Sequence, residues 1–537
     1  MRSATACNGA TTKSRLGLLA LFVVMMAVHL WSLMRFPLPS EDEAWLGSRA
    51  WAFLHTGHPF GPLDAGVFDR FEGYWIFFPW LPSWLQSLSL HACAVPALLP
   101  LRLLSLGFGL VLLSAIYAIA HRLGGRRLGF LSVLLVSLSP AFLVASHSAR
   151  LDIMTATLGF LAVALCLNSQ SAPVLLNALS GLCVGLAFEV HPYGALYGPT
   201  VLSLLWMTSH GSCLHRRSVW GFAGGVVIGL IFYAVMHLVR YPHTYFTLAR
   251  IAFGPTHMPP ILHPGLLLKE IREMSDMLIN LYGIPILVVL WAVFHLLRSY
   301  SRSAKILLTL IGSLIVGFTL LVRNKLLFYT ILLSPAIDLI VAAWLVGLVQ
   351  QYAPSTSQGA KRRAQRIRHN LLRGAVCGGL IVLYLCPLTR PLSAWWIFAV
   401  QEDARVSYQR VQQKLHAVIQ PQDSIMASQT FWFGLHEHSY YSWEQLVFYR
   451  RYAPGSTLNQ ALQAFHPDLF IIDDHMRIFI SDSGGTHPYS LYLRLPQTEL
   501  EQFLAHRAQR IAVFDDPAYG AISVWRINWN RQQDKLI

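Results

Sequence analysis

Residues 16–34 read LGLLALFVVMMAVHLWSLM, and Arg35-Phe36-Pro37-Leu38-Pro39-Ser40-Glu41-Asp42-Glu43 follows at once. A predominantly apolar run of this length is enough to cross the ~30 Å hydrocarbon of a bilayer as a helix. It exceeds the roughly 7–15 residues of a signal-peptide core and no small-residue cleavage site follows, so behind Lys13 and Arg15 it reads as a retained anchor. Three consecutive acids then stand where the chain leaves the lipid.

The rest of the chain repeats the first half of that pattern. Of 537 residues, 54% are hydrophobic and 12% charged, against about 25% charged in soluble proteins, which excludes an ordinary cytosolic globular protein. The economical reading is a polytopic α-helical membrane protein with about eleven spans, near 16–35, 101–120, 128–146, 152–168, 174–190, 195–209, 219–238, 281–298, 304–322, 326–349 and 374–398. Residues 1–398 form this multi-span part. The net charge of +15 does not point to nucleic acid, because residues 1–398 hold 29 Lys and Arg against 12 acids, and residues 399–537 hold 12 against 14. Lys13/Arg15, Arg122/Arg126/Arg127, Arg216/Arg217, Arg298/Arg302/Lys305 and the run Lys361–Arg373 all fall on one face of the eleven-span arrangement. Positive loops stay cytoplasmic, so the N-terminus is expected inside and the C-terminal domain outside the plasma membrane. Seven cysteines show no CxxC or zinc-like spacing, and none follows Cys386.

Two outer loops, 37–100 and 239–280, are aromatic and broken by proline, and are expected as short helices along the interface. After Trp396 the texture changes. Glu402 to Ile419 is polar with helical spacing, Ser424–Ala427 and Asp468–Ile472 read as strands, and Ile511–Phe514 with Ala521–Ile527 read as a final pair. Residues 399–537 are therefore expected to form a soluble extracytoplasmic α/β domain.

Polar clusters recur at the outer rim: Glu41-Asp42-Glu43, His147-Ser148-Ala149-Arg150-Leu151-Asp152, and Glu189-Val190-His191-Pro192-Tyr193. Charges in apolar surroundings are costly unless partnered or functional. A solvated loop accounts for the first cluster equally well, and a mutual Arg150–Asp152 pair for the second. If the helices bundle, the clusters make one site.

These residues carry a resemblance. A first span followed by Asp-Glu, a long interfacial loop, an Arg-x-Asp hairpin after the third span and an extracytoplasmic tail resemble the GT-C superfamily of membrane glycosyltransferases. The similarity is strongest to the bacterial branch related to protein O-mannosyltransferases and lipid A aminoarabinose transferases, over about residues 16–350. It implies a sugar donor on polyprenyl phosphate, a lipid, glycan or protein acceptor arriving from outside, and inversion at the anomeric carbon.

Transfer from a lipid phosphate needs a carboxylate to take the acceptor's proton and cations to stabilise the departing phosphate. The family's Asp-Glu pair implies Asp42 as base, with Glu43 as the alternative and Glu41 as an outsider. Its hairpin motif implies that Asp152 orients the acceptor or a basic partner and that Arg150 holds phosphate or Asp42. Candidate phosphate ligands are Lys325 and Arg323, then Arg240 and Arg250, with lipid-headgroup anchoring as the plain alternative for each. Relatives carry Lys-Pro where this chain has His191-Pro192, so a permanent charge is replaced by an imidazole. Glu189 and His191 are the candidate ligands if a divalent metal is used. Competing readings are a lipid-linked saccharide transporter or flippase, an O-antigen ligase or polymerase, and a non-catalytic scaffold. A transporter would place ionisable groups near the midplane on repeated halves, and neither feature is present.

Overall fold

The computed structural model describes residues 22–64, 79–169, 172–208, 213–252, 264–299, 301–323, 325–351, 378–384, 404–482 and 494–529, with a few isolated positions. The basic run 361–373 and most of the last expected span, 374–398, lie outside the described residues.

The described part of the first anchor is α1 (Phe22–Ser32). Beyond it Ser40 starts α2 (Glu41–Thr56) with a capping box, in which its hydroxyl takes the Glu43 N–H and the Glu43 carboxylate takes the Ser40 N–H. All three acids therefore occupy the first turn, where the helix dipole favours negative charge. The interfacial loop continues through a 3-10 turn at Pro62–Asp64 to α3 (Trp80–Leu90).

The helix α4 (Leu98–Ser137) has 40 residues, or about 60 Å at 1.5 Å per residue, twice the hydrocarbon thickness. It is not straight. Gly124 and Gly125 have non-helical backbone angles, with Gly125 at φ 77°, a conformation that costs glycine little. The Tyr117 and Phe130 rings meet at 5.3 Å across that break, so the chain doubles back, with the expected second span on the first arm and the expected third on the second arm together with the helix that follows. The short α5 (Pro140–His147) and α6 (Asp152–Leu167) meet at a 118° bend, which brings Ser148–Leu151 to the rim.

Next come α7 (Pro173–Val190), α8 (Tyr197–Thr208) and α9 (Cys213–Tyr233). The α7–α9 contact is a glycine seam: a Cβ on Gly185 would stand 2.8 Å from the Gly229 Cα, and side chains at Gly181 and Gly225 would meet the Phe222 and Ala178 carbonyls. Small residues four apart let two membrane helices approach backbone to backbone. The second outer loop holds α10 (Pro242–Ala252) and α11 (Leu267–Tyr282), which bends by 111° into α12 (Ile286–Arg298) at Gly283-Ile284-Pro285. Then follow α13 (Arg302–Leu321), a 3-10 turn at Leu327–Leu332 and α14 (Ser334–Gln351).

Among the described residues four helices are individually long and apolar enough to cross a membrane, or six if each bent pair is one span. Several of the expected eleven fall short of that length, as with the 13-residue α12, which starts only after Pro285. Leu175, Trp206, Trp220, Val239 and Leu287 are more than 60% exposed, a belt of apolar surface that lipid covers. The chain is a multi-pass helical membrane protein.

The C-terminal region carries a five-stranded sheet in the order β2-β1-β3-β5-β4, with β1 (Ile425–Ala427), β2 (Tyr440–Ser442), β3 (Leu469–Ile472), β4 (Ala508–Asp516) and β5 (Gly520–Ile527). Strand β1 runs parallel to β2 and β3, while β5 is antiparallel to β3 and β4. Alternate residues serve two faces, as a strand's period of two requires. Met426, Phe470 and Ile472 pack with Leu446, Leu462 and Leu504 on one side. On the other, Ile425, Leu469 and Ile471 pack with Val411 and Leu415 and reach Ala44 and Ala50 of α2, Leu101 of α4 and Ala149. One apolar layer thus joins the sheet to the membrane helices. Phe433 presses on α2 so closely that a Cβ at Gly47 would lie 2.7 Å from its ring.

Candidate active site

The three consecutive acids of α2 have three different environments. Glu43 is fully buried and fully engaged: Arg102 Nε and Nη2 donate to its two oxygens at 2.9 and 2.8 Å, the Ala149 N–H at 2.7 Å and the Ser40 N–H at 3.1 Å. Arg102 also donates to the Leu33 carbonyl at 3.0 Å. Glu43 therefore ties α2 to α1, α4 and the Ala149 turn, and no oxygen faces an incoming hydroxyl. Glu41 turns to the C-terminal region, where Ser428 Oγ donates to it at 2.7 Å and His475 Nδ1 lies at 3.2 Å.

Asp42 is the open one. Its side chain is 49% exposed and ion-paired to Arg150, which is 13% exposed. Arg150 is held from two further directions: Nε donates to Asp152 Oδ2 at 2.8 Å, and the guanidinium lies 3.6 Å above the Phe328 ring. A planar guanidinium suits both contacts. Asp152 is buried in the first turn of α6, where its charge also meets a helix N-terminus. Arg150 thus pairs with Asp152 and with Asp42 at once, in one triad.

An aromatic patch adjoins this triad. His191, at the end of α7, contacts Tyr193 and Tyr329 at 4.5 and 5.5 Å between ring centroids, and Phe328 contacts Tyr329 at 4.6 Å. The His191 Nδ1 accepts the Tyr193 N–H at 3.2 Å, which leaves Nε2 as the imidazole's N–H when the ring is neutral. Lys325 is buried in an ion pair with Glu270 of α11 and donates to the Val322 carbonyl at 3.0 Å.

The other expected phosphate ligands are scattered. Arg240 is exposed, with its guanidinium 4.5 Å above Trp80 and Nη2 3.3 Å from His58 Nδ1. Arg323 is half-buried just before Lys325, and the side chain of Arg250 lies outside the described residues. Glu189 is buried and does not stand with His191: its Oε1 accepts the Trp80 and Leu81 N–H groups at 2.8 and 3.2 Å, capping α3, and lies 3.5 Å from His237 Nε2. Among the described residues no three His, Cys, Asp or Glu side chains converge as a metal cage would require. Asp338, inside α14, accepts the Tyr384 hydroxyl at 2.6 Å, and Asp473 caps a short helix by accepting the Met476 N–H at 2.8 Å. Asp473 thus serves the turn that follows β3.

Arg102, Glu270, His237 and Phe328 were not among the expected site residues. The first carried a signal, being a charge in a membrane span, whereas Glu270 is one of three acids in its loop, with Glu273 and Asp276. The pairing of Arg102 with Glu43 and of Glu270 with Lys325 depends on helix packing that spacing does not encode.

Comparison with known proteins places this arrangement. The sequence profile of the family described as dolichyl-phosphate-mannose-protein mannosyltransferase matches residues 78–239. No curated protein sequence matches the chain. Among solved structures, ArnT from Cupriavidus metallidurans bound to undecaprenyl phosphate is similar with a TM-score of 0.60 at 16% identity, over 94% of this chain and 98% of that one. The same protein in the apo state gives 0.57 at 15% identity, over 96% and 98%. The oligosaccharyltransferase of Archaeoglobus fulgidus in its apo form gives 0.50 at 11% identity, over 95% of this chain and 74% of that one. At these identities the likeness is one of fold.

Proposed function

We propose that this chain, whose fold is that of the GT-C membrane glycosyltransferases, moves a sugar from a polyprenyl-phosphate donor to an acceptor hydroxyl on the extracytoplasmic side of the plasma membrane. The observation that carries this reading is the contrast within one helical turn: Glu41 and Glu43 are committed to protein partners, while Asp42 is half-exposed beside a fixed guanidinium. The undecaprenyl phosphate held by the ArnT relative supports the class of donor.

In the proposed reaction the acceptor oxygen attacks the anomeric carbon from the face opposite the phosphate. The bond to the new oxygen forms as the carbon–phosphate oxygen bond breaks, and the configuration inverts. The acceptor's proton passes to Asp42, and the bonding pair leaves with the lipid phosphate. Asp152 keeps Arg150 in place, and Arg150 both orients Asp42 and presents positive charge to the phosphate. Lys325 is the second cation, available once phosphate competes with Glu270. The aromatic patch of His191, Tyr193, Phe328 and Tyr329 offers ring faces for sugar stacking.

The test is turnover of labelled polyprenyl-phosphate mannose, glucose and aminoarabinose by membranes holding wild-type protein or Asp42→Asn at matched amounts. Consumption of one donor by the wild type and its loss in the variant support both the reaction class and the base. Equal consumption by both removes Asp42 from that role.

A further inference from the structure

The C-terminal region touches α2 one residue away from Asp42. At 3.6 residues per turn, Glu41 and Glu43 point about 200° apart around the helix, with Asp42 between them. Glu43 is anchored on the membrane side by Arg102 and Ala149. Glu41 is anchored on the other side by Ser428 and His475, both from the C-terminal region. Together with the packing of Phe433 on Gly47, the two anchors on opposite sides restrain the first turn of α2 from rolling about its axis. A roll of about 10° moves a carboxylate about 5–6 Å from the axis by about 1 Å, and a misplacement of that size is worth up to about a hundredfold in rate.

The clamp is electrostatically matched. Burial by itself would raise the Glu41 pKa, yet the hydrogen bond and charge of His475, with the bond from Ser428, hold it below the usual carboxylate range. The bond to Glu41 in turn pushes His475 up to about 9, assisted by the charges of Glu41, Asp473 and Glu444 and opposed by burial. The sheet supplies the rigidity: Ser428 follows β1 directly, and His475 lies three residues beyond β3, its strand neighbour.

We propose that the C-terminal region is a working part of the active site, and that Glu41, Ser428 and His475 are positioning residues that hold Asp42 against Arg150. This rests on the reading of Asp42 as the base.

The experiment compares full-length Glu41→Gln, His475→Ala, His475→Lys, the Glu41→Gln/His475→Ala double variant and Asp42→Asn in membranes, with the same three labelled donors. The expected result is a loss of kcat of about tenfold to a hundredfold in Glu41→Gln and His475→Ala, with the donor KM unchanged. His475→Lys, which keeps the cation, recovers most of the rate, and the double variant is no worse than either single one. Wild-type turnover in both single variants while Asp42→Asn is inactive overturns the clamp and leaves the base standing. A raised KM with unchanged kcat, or reduced protein amount with no rescue by lysine, also overturns it. Wild-type turnover in Asp42→Asn overturns the reading of the base instead. If none of the donors is consumed by the wild type, amide hydrogen exchange over residues 40–46 decides: faster exchange in His475→Ala supports the clamp, and unchanged exchange overturns it.

Discussion

Asp42 and Glu43 are neighbours in one turn of α2, yet Glu43 lies wholly inside a four-donor cage built on Arg102, while Asp42 is 49% exposed against Arg150. Adjacent carboxylates of near-identical chemistry thus have opposite surroundings, one locked into the fold and the other open to solvent.

Their substitutions should differ in kind. Glu43→Gln leaves Arg102 buried without its countercharge, and breaking one side of a buried pair costs about 3–5 kcal/mol. Asp42→Asn removes only a half-exposed carboxylate, so folding is expected to be nearly unchanged while turnover falls by about 10²–10⁴, the range of a lost general base. Thermal unfolding in detergent, measured beside donor consumption, separates the two. A heat-labile Asp42→Asn or a fully stable Glu43→Gln would reverse these assignments.

The Glu270–Lys325 pair makes an opposite-sign prediction for its two members. In this structure the Lys325 ammonium is engaged by a carboxylate, so a lipid phosphate has to compete with Glu270 for it. Glu270→Gln should bind undecaprenyl phosphate more tightly and Lys325→Gln more weakly. A charge-assisted hydrogen bond of about 1.5–3 kcal/mol corresponds to changes of roughly tenfold or more. Titration with undecaprenyl phosphate checks this, and weakening by both substitutions would show a purely structural pair.

The contact between α2 and the C-terminal region should also depend on pH, with a defined sign. The folded pKa of His475 is raised from 6.5 to about 9, so its contribution is full below 6.5 and disappears as pH rises through about 9. Glu41 is depressed below its ordinary 4.5, so its contribution is present above that value and disappears as pH falls. Asp473, pushed up to about 6 mainly by burial, is charged above that pH and adds to the field that keeps His475 protonated, as does Glu444. Limited proteolysis or hydrogen exchange at residues 40–46 should therefore show protection at pH 7 and loss of it near pH 10. The alkaline step should be missing from His475→Ala.

Much of this was legible in the amino acids. The helical, membrane-embedded character followed from the long apolar runs, and β1, β3, β4 and β5 overlap the expected stretches, β1 and β3 as short, wholly apolar runs buried at every position. Asp42, Arg150 and Asp152 stood out as candidates because charges in apolar surroundings are costly unless partnered or functional, and the structure brings them together. What the sequence concealed was three-dimensional. The short β2 was not among the expected strands, since Tyr440-Tyr441-Ser442 acquires its strand character only by pairing with β1. Glu189 and His191 are two residues apart across the end of α7, and that helix end turns one toward α3 and the other toward Tyr329. Neither Arg102 nor Glu270 is near its partner in the chain, so no local pattern separated a locked carboxylate from an open one, or a free lysine from an engaged one.

Arg150 provides the most demanding test of the triad. Its guanidinium meets Asp42, Asp152 and the Phe328 face at once. A lysine keeps the charge but is a compact, strongly hydrated point without the planar fork or the stacking surface. Arg150→Lys is therefore expected to fold, because Asp152 still has a cation beside it, yet to lose rate by about tenfold to a hundredfold through misplacement of Asp42. Arg150→Ala should lose more and also destabilise the fold, since it leaves Asp152 buried and unpaired. The ordering wild type, Lys, Ala in turnover, with a drop in unfolding temperature only at Ala, is what the geometry requires. A lysine variant with wild-type turnover would mean that charge alone matters there, and that neither the fork nor the ring beneath it contributes to the reaction.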